Sequence, residues 1–142
     1  MSHYTLVKSQ IRRISPLIKA LQKLGFQPHM IEYSENLLPL KGYQGDIRKQ
    51  KANIRIKGSG WRGENYVGNA SNDLGFERLE DGTYAFHVSQ YDQMKYNSNW
   101  QTKLMNQYSC AVIHEECLTH GFFIEEKTEE ADEINMVLTS PF

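Results

Sequence analysis

The sequence predicts an α+β fold: an antiparallel sheet with two helices packed on one face, a ferredoxin-like sandwich formed by a single domain over residues 1–142. Three observations predict it. Two segments, one opening at Ser15-Pro16 and one running from Ser98 to His120, carry apolar residues at helical spacing. Short alternating or β-rich stretches lie before, between and after them. Glycine-containing turns separate those stretches, Asp81-Gly82 being the clearest. A chain of 142 residues is close to single-domain size and buries roughly two-thirds of its unfolded surface without needing disulfides or metal.

Taken in order, Tyr4 to Ile11 alternates loosely and reads as a first strand. Ser15 is placed as an N-cap, with Pro16 in the first turn where its missing donor costs nothing. Leu17, Ile18, Leu21 and Leu24 form one stripe, and Gly25 ends the helix in the left-handed region. Gln27 to Tyr33 reads as a second strand, followed by a loop through Pro39 and a Gly42/Gly45 turn. Ala52 to Lys57 alternates most clearly, with Ile54 and Ile56 on one face and Arg55 and Lys57 on the other. A glycine-rich connection, Gly58 to Gly68, leads to a hairpin of Leu74-Gly75-Phe76 and Tyr84 to Val88 across Asp81-Gly82. In the long second helix Trp100, Leu104, Ala111 and Leu118 fall near one line, flanked by Tyr108 and His114, and that face is expected to cover the sheet. Gly121 ends it. Phe122 to Glu126 and Ile134 to Leu138 then form a last strand pair around a turn at Thr128 to Asp132.

Charge is divided along the chain. Residues 1–63 hold 12 Lys and Arg against three acids, whereas residues 64–142 hold 4 against 14, so the total of −1 hides two poles. Such asymmetry points to a basic face for an anionic partner, or to poles that neutralise each other within the fold. The start has no apolar core of a signal peptide and no apolar run is long enough to cross a membrane, so a cytoplasmic or stromal address without membrane insertion is expected. Cys110 and Cys117 lie about two turns apart on the long helix, too far to bridge each other, in keeping with reduced thiols.

Several local patterns imply less chemistry than their letters suggest. Gly58-Ser59-Gly60-Trp61-Arg62-Gly63 matches G-x-G-x-x-G by letter, but no helical stripe follows to present amides to a pyrophosphate, so no cofactor is assigned. Cys110, His114, Cys117 and His120 share one broad side of a helix. Two neighbours there supply at most half a metal site, to be completed by another segment; packing is the preferred reading and no metal is assigned. No nucleophile elbow, phosphate loop or zinc-protease helix is present, and the chain is read as non-enzymatic with no catalytic residues. The acidic run Glu125, Glu126, Glu129, Glu130, Asp132 and Glu133 reads as solvated.

What remains is the basic stretch from Lys41 to Lys57 with its aromatic neighbours. Tyr43, Arg48, Lys49, Lys51, Arg55 and Arg62 are the candidate partner-binding residues, because aromatic and arginine side chains dominate binding hot spots. The first expectation is a protein partner. The alternative is a nucleic acid held by the same surface, with Tyr43, Trp61 and Tyr66 available for stacking, although Lys41-Gly42-Tyr43 departs from the RNA-recognition motif at Gln44. A third reading is self-association of the basic half of one molecule with the acidic tail of another.

Many of these segments together carry a family resemblance: Met1-Ser2-His3-Tyr4-Thr5, Leu24-Gly25-Phe26, Lys41-Gly42-Tyr43-Gln44-Gly45, Lys51-Ala52-Asn53-Ile54, Asp73-Leu74-Gly75-Phe76, Asp81-Gly82-Thr83-Tyr84, and Gln107-Tyr108 leading to Gly121-Phe122. In order and over nearly the whole chain they resemble the hypothetical chloroplast frame thirty-five family, also called the domain of unknown function twelve fifty-seven, of plastids, cyanobacteria and cyanobacterial viruses. The resemblance implies a small accessory protein linked to photosynthesis or its viral takeover, with an ATPase or a photosynthetic complex as the kind of partner. It implies no catalytic residue. Where the family commonly shows Tyr-Ala-Tyr-His in the second helix, this chain has Tyr108-Ser109-Cys110-Ala111.

Overall fold

The computed structural model describes residues 3–121, 123–130 and 133–139, with side chains described for 3–121. The chain forms two compact units. The first comprises the segment through Arg12 together with Phe26–Asn97; the second comprises Arg13–Gly25 and the chain from Ser98 onward.

The first unit holds β1 (Tyr4–Val7), β2 (Glu32–Lys41), β3 (Ile47–Ile56), β4 (Leu74–Arg78) and β5 (Tyr84–Ser89), joined in one antiparallel sheet of order β1-β5-β4-β3-β2. The second holds α1 (Ile14–Lys23), α2 (Ser98–His120) and a hairpin of β6 (Phe123–Glu130) and β7 (Glu133–Thr139). A five-stranded antiparallel sheet and two helices give the α+β class. The strand order is a meander from β2 to β5 with β1 added beside β5, which differs from the split βαβ connectivity of ferredoxin-like folds. Its cause is local: no α-helix separates β2, β3, β4 and β5, so each strand pairs with the next.

Burial in the sheet follows the cross-strand ladder. Ile54 stands opposite Phe76, Phe76 opposite Phe86, and Phe86 opposite Val7. The Phe76 and Phe86 rings stack with centroids 4.8 Å apart, and Ile54, Phe76 and Phe86 are all buried. Such aromatic pairs add about 1 kcal/mol beyond the apolar area they remove from water.

Several element boundaries differ from the sequence reading. The first strand ends at Val7, and Pro28–Met30 is a short 3₁₀ turn where the second strand was expected to begin. β2 instead runs through Pro39, which the sequence reading placed in a loop. Proline is tolerated there because β2 is the outermost strand and its pairing shifts register between Pro39 and Lys41. β3 starts five residues before the expected Ala52, at Ile47. The β4–β5 hairpin turns as expected, with Gly82 at φ +87°.

In the second unit Arg13, not Ser15, is the residue before α1, and its side chain makes no cap. The Ser15 hydroxyl donates to Glu115 Oε2 at 2.8 Å, so an interaction with α2 takes the side chain from the helix end. Glu115 also accepts from Arg13 at 2.7 Å and Lys19 at 2.9 Å, while the Tyr108 hydroxyl accepts the Arg13 backbone N–H at 3.1 Å. These contacts fasten α1 to α2. On α2, Leu104, Tyr108, Cys110 and Cys117 are buried, but Leu118, expected on the apolar line, is 70% exposed. β6 continues through Glu130 across the expected turn at Thr128, and Asp132 lies outside the described residues.

Candidate docking surface

The β2–β3 hairpin is built on glycine. Gly42 N–H donates to Asp46 O at 2.7 Å and Gly45 N–H to Gly42 O at 2.9 Å, closing a turn in which Gly45 has φ +89°. Against this turn lies the backbone of the Gly58–Trp61 loop. A Cβ on Gly60 would collide with the Gly42 carbonyl, and one on Gly58 would stand 2.6 Å from Ser71 O. The G-x-G-x-x-G letters therefore record two backbones in contact, a use of glycine unrelated to phosphate binding.

Asp73 stitches these loops together. Its carboxylate accepts from the backbone N–H groups of Lys41 and Gly58, both at 2.8 Å, and from the Trp61 indole. The neighbouring Asn72 accepts from Tyr43 N–H at 2.8 Å and donates to Ser89 Oγ at 2.8 Å; Asp92 Oδ2 accepts from both Asn72 N–H and Ser89 Oγ. Burial pushes the Asp73 carboxyl above its ordinary value, and the amides and indole oppose that rise.

Three cations surround Trp61. Lys41 Nζ lies 3.8 Å from the ring centroid, with Arg55 Cζ and Lys57 Nζ each at 4.5 Å. Glu32 pairs with Arg55 at 2.7 Å and with Lys57 at 2.9 Å, and Lys57 also pairs with Glu64. Burial works against the Glu32 charge, but the bonds from Lys57 and Arg55 win and hold its carboxyl below the usual range. Two of the cations read from the sequence, Arg55 and Lys57, are thus neutralised beside one indole.

The six candidate residues separate accordingly. The Arg55 side chain is 10% exposed and donates to Glu32 and to Pro39 O. Arg48 is 11% exposed, pairs with Asp46 at 2.7 Å, and places its guanidinium 5.8 Å from the Tyr4 ring. Tyr43, Lys49, Lys51 and Arg62 are exposed. Along the first half of β3 the residues Ile47, Lys49 and Lys51 are exposed while Arg48 and Gln50 are half-buried, because side chains two apart share a face of a strand. Sequence reasoning missed Ile47, which is 71% exposed and is the apolar member of this stripe. Its signal was present in the period-two spacing of Ile47, Lys49 and Lys51.

Chemically, the outer stripe offers two ammonium groups, an exposed branched aliphatic side chain and, at the adjoining turn, the Tyr43 ring. It carries no nucleophile and base at hydrogen-bonding distance. Among the described residues no three His, Cys, Asp or Glu side chains are grouped to hold a metal ion. Cys110 and Cys117 are buried on α2, while His114 and His120 are exposed. No helix among the described residues is long and apolar enough to cross a membrane.

A family model described as "Protein of unknown function (DUF1257)" matches residues 20–138. The chain belongs to this family. The match begins within α1 and ends within β7, so the family's extent takes in both glycine loops, Asp73 and the whole β2–β3 hairpin. No curated protein and no solved structure matches the chain.

Proposed function

We propose that this member of the family is a non-enzymatic accessory protein that docks a protein partner on the outer stripe of its β2–β3 hairpin. One observation carries the reading: Ile47, Lys49 and Lys51 stand exposed on one face of β3 while Arg48 between them is half-buried and paired with Asp46. An exposed aliphatic anchor between a tyrosine and two lysines fits a partner surface that is itself partly apolar and acidic, since charge complementarity steers encounter and apolar anchors supply affinity. The Asp73 network holds the hairpin's base in place, so little ordering entropy is lost on docking.

The photosynthetic setting implied by the family resemblance, and a cytoplasmic or stromal address, belong to the same proposal. The tagged chain is tested for capture from a cyanobacterial lysate, with and without nuclease, beside the variant Ile47→Asp/Lys49→Glu/Lys51→Glu. A protein captured by the parent chain, retained after nuclease and lost by the variant supports docking on this stripe. A catch that disappears with nuclease moves the stripe to a nucleic-acid backbone, and equal capture by both chains removes the stripe from the binding surface.

A further inference from the structure

We propose that a cleft between α1 and α2 binds a small amphipathic anion, an apolar tail ending in a carboxylate. This site is separate from the hairpin stripe and does not rest on it. The cleft has a volume of about 460 Å³, within the ordinary range for small-molecule sites. Its α2 wall presents Cys110, which is buried, and Ala111, which is half-buried, so a tail laid along the helix meets a thiol and a methyl group. The methylene stems of Lys19 and Lys23 from α1 extend that apolar surface.

Charge at the rim selects the head group. The described lining residues include Lys19, Lys23 and His114 and no carboxylate. The nearest acid in sequence to that wall, Glu115, is committed elsewhere: its two oxygens receive Lys19, Ser15 and Arg13, and Lys19 above all holds the carboxyl below its usual range. Lys19 is therefore already paired. Lys23, one turn further along α1, is exposed and makes no ion pair among the described residues, which leaves its ammonium to meet an incoming carboxylate. The two glutamine amides in the lining, Gln22 and Gln107, supply further donors.

The test titrates the full chain by calorimetry with dodecanoate, and in parallel with dodecanol, which has the same tail and no charge. The parent chain is expected to bind dodecanoate saturably. Lys23→Glu, a change at an exposed position, should weaken dodecanoate about fivefold, the upper end for one exposed charge pair, and leave dodecanol unaffected. Ala111→Trp should fill the cleft and abolish binding of both. The proposal is overturned if the parent chain shows no saturable binding of dodecanoate, or if Lys23→Glu binds it as tightly as the parent chain does.

Discussion

The Trp61 indole N–H points at both carboxylate oxygens of Asp73, 3.0 Å from each. Asp73 is fully buried and simultaneously holds the amides that begin two glycine loops. The pair joins the glycine-rich connection to the β2–β3 hairpin, at the base of the proposed docking surface.

Trp61→Phe keeps most of the ring that Lys41, Arg55 and Lys57 surround but removes the donor. It should destabilise the fold by about 2 kcal/mol, the usual cost of a hydrogen bond to a charged acceptor. Asp73→Ala strands two backbone amides and the indole together and should cost more, about 3 kcal/mol or above. Urea unfolding of the two variants against the parent chain checks the order.

The two glycine loops predict a steric ranking. Gly60→Ala and Gly58→Ala place a methyl group into backbone carbonyls that have no rotamer by which to escape, and each should cost about 3 kcal/mol. At Gly63 an added Cβ meets nothing within 4 Å, so Gly63→Ala pays only for its φ of +74°, about 1 kcal/mol. Thermal midpoints of the three variants separate crowding from backbone strain.

Acid should act on Asp73 and Glu115 with opposite signs. The Glu115 carboxyl is held below 4.5 by Lys19 and Ser15, so its stabilising contribution is present above that value and lost as pH falls through the lower folded value. The Asp73 carboxyl is raised above 3.8 by burial, so its contribution is complete below 3.8 and lost as pH rises through the higher folded value. Glu115→Gln should therefore flatten the loss of stability on acidification. The stability difference between the parent chain and Asp73→Asn should grow as pH falls. Chemical unfolding at intervals from about pH 6 to about pH 3 measures both.

How far the sequence could be read depended on how local each determinant is. The extent of α2 was legible because Ser98 opens it and Gly121 closes it, although of its expected apolar line only Leu104 is buried, and the β4–β5 turn was announced by Asp81-Gly82. β2 was not, because its course past Pro39 is decided by pairing with β3 across a register shift, a relation no local pattern carries. Ser15 carried a sound capping signal that Glu115, 100 residues away, overrides. In the candidate site, the basic stretch was visible but its division was not. Arg48 and Arg55 are shielded from solvent and paired with Asp46 and Glu32, and the hub at Asp73 has no signature beyond an acid preceding an apolar strand.

Substitutions on the outer stripe should leave the fold intact. Lys49→Glu and Lys51→Glu change exposed side chains and should shift stability by no more than about 0.5 kcal/mol. The partner's affinity for the parent chain should fall as salt rises, and this dependence should weaken in the double variant. Calorimetric titration at two ionic strengths checks both statements.

Amide hydrogen exchange of the full chain, with and without its captured partner, tests the central claim most directly. Docking on the hairpin stripe predicts slowed exchange over residues 43–51, with the solvent-facing first turns of α2 unchanged. Protection elsewhere, with residues 43–51 exchanging as in the unbound chain, would contradict it.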